Sequence, residues 1–189
     1  LRPEFPVEMA SMVTLVMGLA VAEGIRETCG VEAHIKWPND IVIKGRKVCG
    51  MLAEMSTERD FIHYVVMGVG INVARQDFPP EIAQTASCLE QECGCAVSRA
   101  EITANVMKAF ETYYGIFRGD GSLAGLLERY NGMLAGKDGE VRILDPKGEY
   151  RGISRGINPA GELQVEREDG TVEPVYAGEV SVRGIYGYV

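Results

Sequence analysis

Histidine and tryptophan are scarce in this sequence: His34, His63 and Trp37 are all that 189 residues contain. Zinc spacing is missing too. Five cysteines give only one close pair, Cys93-Gly-Cys95, with no second pair to complete a tetrahedral set. The odd cysteine count, with thiols in apolar or helix-end contexts, fits reduced cysteines and a cytoplasmic protein. A basic excess is also absent. Nineteen Lys and Arg against 27 Asp and Glu leave a net charge of −8, which excludes the broad basic face of a general nucleic-acid or membrane-surface binder. Residues 9–22 are uncharged but bounded by Glu8 and Glu23, short of the roughly 20 residues needed to span a bilayer. No signal peptide is visible, and the chain opens on Leu1 rather than Met, so an upstream segment is expected.

Several nucleotide and hydrolase motifs are missing as well. The run Gly68-Val-Gly70-Ile-Asn72 lacks the third glycine and following helix of a dinucleotide fingerprint. There is no Walker loop and no G-x-S-x-G elbow. Asp40 and Glu54 are both acidic, but nothing in the sequence fixes a glycosidase separation between them.

What is present reads as two compact units. Hydrophobic residues make up 46% and charged residues 24%, enough to bury a sizeable core. Residues 7–29 predict a mostly buried helix stopped by Gly30. Short strands follow at 34–37, 41–44, 47–55 and 61–69, separated by a Pro38-Asn39-Asp40 turn, a tight Gly45-Arg46 connection and a polar turn at 56–60. They predict an antiparallel meander in an α+β domain. Residues 70–97 read as irregular. Ser98 and Glu101 form a capping box for a helix to about Phe117, and 122–134 predict another. After residue 140 short strands alternate with Pro-Gly and Asp-Gly turns, the texture of a small barrel of about five strands. The expected division is 1–136 and 139–189.

Basic groups gather locally in "IKWPNDIVIKGRKVCGMLAE", residues 35–54. Lys36 and Lys47 converge near one end of the predicted sheet, as a site for phosphate or carboxylate requires. Each alone reads more readily as a solvated strand-end lysine. Gly50, Gly68 and Gly70 lie inside predicted strands, where glycine marks a bulge or a backbone approached by a ligand.

Three ordered motifs, "KWPNDI", "RKVCGMLAE" and "GVGINV", resemble the catalytic domain of biotin protein ligases. The tail "GEYRGISRGINPAGELQVEREDGTVEPVYAGEVSVR" is similar to that family's SH3-like C-terminal domain. The resemblance implies a class II aminoacyl-tRNA-synthetase-like α+β fold, with a mixed or antiparallel sheet flanked by helices and a small SH3-like barrel after it. It implies activation of biotin by Mg-ATP to biotinyl-5′-AMP, then transfer to a lysine of a biotin carboxyl carrier protein of acetyl-CoA carboxylase. By residue, it implies Lys47 as catalytic, between biotin carboxylate and α-phosphate. Lys47, Gly50, Leu52, Gly68 and Gly70 would hold biotin. Lys36, Trp37, Asn39, Asn72 and Arg183 would serve ATP, and Asp40 a Mg2+ ion. Cys49 stands where the family often has Ala and would only pack. A homodimer is compatible with this reading, and DNA would be a partner only through an upstream helix-turn-helix. The family's Gly-Arg-rich loop, with its biotin-contacting Ser, Thr and Gln, does not occur in 1–189. The expectation is that these precede Leu1 and that the 189 residues alone lack activity. A non-catalytic biotin-binding or carboxylase-interaction module, and a lipoate-type ligase, are the alternatives.

Overall fold

The computed structural model describes residues 1–59, 61–144, 148–176 and, for the backbone alone, 181–184. The N-terminal unit is a helical layer on a four-stranded sheet. A 3-10 turn at Val7–Met9 leads into α1, Met12–Cys29. This helix is buried almost all round, which explains its lack of a polar stripe. The apolar stretch Val7–Cys29 is long enough to cross a membrane, yet most of it is buried inside the fold. Gly30 ends α1 in the left-handed conformation, as the sequence predicts. The expected single helix from residue 7 is broken at Ala10-Ser11 because the first turn closes on Pro6 and Val7 instead.

Four antiparallel strands follow: β1 (Ala33–Lys36), β2 (Asp40–Ile43), β3 (Arg46–Glu58) and β4 (Phe61–Ile71), paired in chain order. A cis Trp37–Pro38 bond turns β1 into β2. The β3–β4 hairpin is longer than the sequence suggests. Residues 56–58 continue the strand, and the reversal falls at Arg59, whose φ is 51°. Two isolated parallel bridges, Ile35 to Leu134 and Lys47 to Ala86, attach loop residues to this antiparallel sheet.

The region 70–97 contains a short helix, α2 (Leu89–Cys93). The long α3 (Arg99–Asp120) starts on Ser98, whose hydroxyl accepts from Glu101 N–H, and runs past the expected end at Phe117 to Gly121. It packs along α1, closely enough that a Cβ on Gly24 would lie 2.8 Å from Val106 N. The expected helix at 122–134 is a 3-10 turn, Ala124–Leu126, followed by α4, Leu127–Met133.

The C-terminal unit is a five-stranded antiparallel sheet, as expected for the small β domain. Its strands are β5 (Glu140–Leu144), β6 (Tyr150–Ile157), β7 (Leu163–Glu166), β8 (Val172–Val175) and β9 (Ser181–Gly184), in the order β8-β7-β6-β5-β9. The two units share one buried apolar cluster that includes Ile35 and Trp37 from the first and Val141, Ile143 and Val165 from the second. Polar seams reinforce it. Asn131 Oδ1 accepts from Ile157 N–H at 2.8 Å, and Leu123 N–H donates to Pro159 O at 2.8 Å.

Candidate active site

The β1–β2 and β2–β3 pairings bring Lys36, Asp40 and Lys47 onto neighbouring strands. Lys47 lies near the start of β3, and its Nζ is 2.5 Å from Asp40 Oδ1 at the start of β2. Asp40 is buried, whereas the Lys47 side chain keeps 38% exposure. The carboxylate therefore holds an ammonium whose other side is open. Lys36 is the cross-strand partner of Asp40. Lys36 and Lys47 are thus both neighbours of Asp40, one by strand register and the other by an ion pair.

Glycine supplies the floor. A Cβ on Gly50 would lie 3.0 Å from both Cε and Nζ of Lys47, so the lysine stem lies across the bare backbone. Gly50 pairs with Gly70, and Leu52 with Gly68, in the β3–β4 register. Cross-strand partners share a face, so these four positions form one strip running away from Lys47. The strip then becomes apolar and open: Leu52 is 64% exposed, Val66 55% and Tyr64 46%. Opposite, Lys47, Gly50, Gly70 and Asn72 line a cavity of about 540 Å³ with Phe78, Ile82, Thr85 and Ala86.

The walls of this cavity are held by the backbone. Lys47 N–H donates to Thr85 O at 2.7 Å, and Ser87 N–H donates to Lys47 O at 2.9 Å. Asn72 donates its side-chain amide to Ser87 O at 3.1 Å, its own N–H to Val48 O, and accepts from Leu89 N–H. One residue escaped the sequence reading. Glu92 of α2 has a side chain only 1% exposed, and it accepts from Arg46 and from Ser87 Oγ (2.5 Å), with Lys44 3.6 Å away. It thus braces both Ser87 and the residue before Lys47.

Three expected site residues have structural partners of their own. Trp37 is 3% exposed, and its indole N–H donates to Gly161 O at 3.0 Å. It cements the two units and offers no open face to a nucleotide. Asn39 donates its amide to Met51 O at 2.9 Å, and its carbonyl accepts from Met51 N–H, so it braces the turn against β3. Asp40 has Lys47 as its partner, and among the described residues no three His, Cys, Asp or Glu side chains gather as a metal site. Arg183 lies on β9 opposite Arg142; its side chain is outside the described residues. Cys49 is buried, and its thiol is pushed up to about 12 by burial and then by the Asp40 charge, as suits a packing residue.

The chain is thus an α+β layer carrying a lysine over a glycine strip, followed by a five-stranded β unit. Residues 1–72 match the biotin/lipoate A/B protein ligase family, and 139–183 match the biotin protein ligase C terminal domain. The chain is 34% identical over 186 residues to the bifunctional ligase/repressor BirA of Bacillus subtilis, covering 96% of this chain and 56% of that protein. It is 30% identical over 181 residues to the biotin–[acetyl-CoA-carboxylase] ligase of Mycobacterium tuberculosis, covering 94% and 64%. The solved biotin protein ligase from Aquifex aeolicus in complex with biotin and ATP superposes with a TM-score of 0.80 at 28% identity, covering 92% of this chain and 72% of that one. The chain belongs to the biotin protein ligase family. It spans about half the length of the BirA relatives it matches.

Proposed function

We propose that this chain carries the adenylate-forming centre of a biotin protein ligase whose acceptor is the biotin carboxyl carrier domain of acetyl-CoA carboxylase. In the first step a biotin carboxylate oxygen attacks the α-phosphorus of ATP. The new O–P bond gives biotinyl-5′-AMP, and the bond to pyrophosphate breaks. In the second step the neutral amine of the acceptor lysine attacks the acyl carbon. An amide forms, AMP leaves with the bonding pair, and the amine gives up a proton.

The observation that carries this reading is Lys47 Nζ, lying across Gly50 where the glycine strip meets the cavity lined by Asn72. Step one drives two anions together, so a fixed cation between them lowers the barrier. Lys47 can face both. The strip suits the apolar part of biotin on one side, and the cavity suits the nucleotide on the other. Asp40 keeps the ammonium in position before substrate arrives. The complex of the Aquifex relative with biotin and ATP supports the same ligand pair. Mg2+ enters with ATP on the nucleotide's own phosphates, and no residue of this chain is assigned to it.

The test uses the protein expressed from its complete gene, supplied with biotin, Mg-ATP and a purified carrier domain. Pyrophosphate release that depends on biotin, with a biotin mass increment on one carrier lysine, is the expected result. Release with lipoate and not with biotin would overturn the assignment of the acyl group.

A further inference from the structure

The ligase reading uses none of the chain's sulfur. Three of the five thiols nevertheless gather near one another. Cys29 is the last residue of α1, Cys93 is the last of α2, and Cys95 follows two residues later. Gly94 between them has φ 76°, a left-handed turn that caps α2 and that a residue with a Cβ rarely adopts. The turn brings Cys95 Sγ to 3.6 Å from Cys93 Sγ. Cys29, at the end of a different helix, lies near enough for Cys93 and Cys95 both to raise its pKa. Cys95 is exposed, and Cys93 and Cys29 are half-buried, whereas Cys49 and Cys88 are buried.

These features distinguish the pair from buried packing cysteines. A disulfide needs its sulfurs to close to about 2.05 Å, from the 3.6 Å at which these two thiols already face each other. The flanking glycine gives the backbone freedom to accommodate the ring. Cys95 is open to a small molecule, so an exchange partner can reach it. Burial and its neighbours Cys93 and Cys95 push Cys29 up to about 11. Cys95 is raised as well, by its hydrogen bond with Cys93 and then by the Cys93 charge, so its exchange runs through the minor thiolate fraction and is favoured by access.

We propose that Cys93 and Cys95 form a dithiol site that reacts with low-molecular-weight disulfides, such as oxidised glutathione, and closes to an intramolecular disulfide. The exchange balances in two steps. The thiolate of Cys95 attacks one sulfur of the small disulfide, giving a mixed disulfide and one glutathione thiolate. The thiolate of Cys93 then attacks Cys95 Sγ, the Cys93–Cys95 bond forms, and the second glutathione thiolate leaves. Two thiols lose two electrons and two protons, and the small disulfide is reduced to two thiols.

Peptide mass mapping tests the assignment on the protein from its complete gene, incubated with a graded ratio of oxidised to reduced glutathione. The expected product is a loss of two hydrogens confined to the peptide carrying Cys93 and Cys95, reversed by dithiothreitol. Cys95→Ser should remove that product entirely and slow the loss of free Cys93 by at least ~10-fold. Cys29→Ser and Cys88→Ser should leave it in place. A lasting glutathione adduct on Cys95, a bond from Cys93 to Cys29, a bond between two chains, or no reaction at all would each overturn the proposal.

Discussion

Lys47 illustrates how a charged side chain becomes chemically useful through its neighbours. It is neither deeply buried nor free. Asp40 holds it from one side, and the missing Cβ of Gly50 lets its stem lie flat. Lys47→Ala in the active ligase should slow adenylate formation by at least ~100-fold, the loss expected for removing one transition-state donor. Biotin-dependent pyrophosphate release at a near-normal rate would refute this role. Gly68 supports a separate prediction. A Cβ there meets only Leu52 O at 3.6 Å, an ordinary contact, and β-branched residues suit strands. Gly68→Val should therefore keep the fold while weakening biotin binding at least ~10-fold, about 1.4 kcal/mol. Calorimetry with unchanged affinity, on a variant of normal far-UV signal, would reduce Gly68 to a structural glycine. Lys47 and the glycines were legible in the sequence because a two-residue period places 50, 68 and 70 once the strands are known. Trp37 and Asn39 were not. Their directions depend on Gly161, 124 residues away, and on Met51 across the turn, and no local pattern carries that information.

At the level of elements, the strands and long helices were readable from their periodicity and caps. The sequence left 70–97 as irregular, and that segment holds the support of the site. Helix α2 has only five residues, too few for any period to show, yet it delivers Glu92 into the interior. The buried carboxylate ties Arg46, at the start of β3, to Ser87, whose backbone bonds both Lys47 and Asn72. Three elements thus meet on one side chain. A Glu flanked by Ser87, Cys88 and Leu89, all buried, is the only local hint that it points inward. Glu92→Gln keeps the shape and removes the charge that Arg46 and Lys44 face. Both cations keep contact with water, so the cost is moderate, about 1–3 kcal/mol of stability. Hydrogen exchange should rise across 85–93 and stay unchanged in α1. An unfolding midpoint and exchange pattern equal to the parent's would mean that Glu92 is not the anchor.

On the scale of the whole molecule, the helical layer covers one face of the β3–β4 hairpin and leaves the other open. Met51 and Val65 are buried against the helices or the chain start, where Leu1 exchanges two hydrogen bonds with Val65. Leu52, Tyr64 and Val66 face the opposite way with the glycines, and among the described residues nothing buries them. Exposed apolar side chains of this kind, interrupted on the same face only by Glu54 and Ser56, favour association. This face is also the surface on which the proposed adenylate would lie. An acyl-adenylate survives only where water is kept away, and catalysis of this kind relies on a closed site. Residues 1–189 by themselves should therefore self-associate on concentration and give no detectable transfer of biotin to a carrier domain. Light scattering on the isolated chain should report a mass that rises with concentration. Val66→Lys, which puts a charge on the open face, should return it to one chain per particle. Incubation with biotin, Mg-ATP and carrier should leave the carrier mass unchanged. Stoichiometric biotinylation by monomeric 1–189 would show that the open face needs no cover and that Lys47 with its glycine strip suffices for both steps.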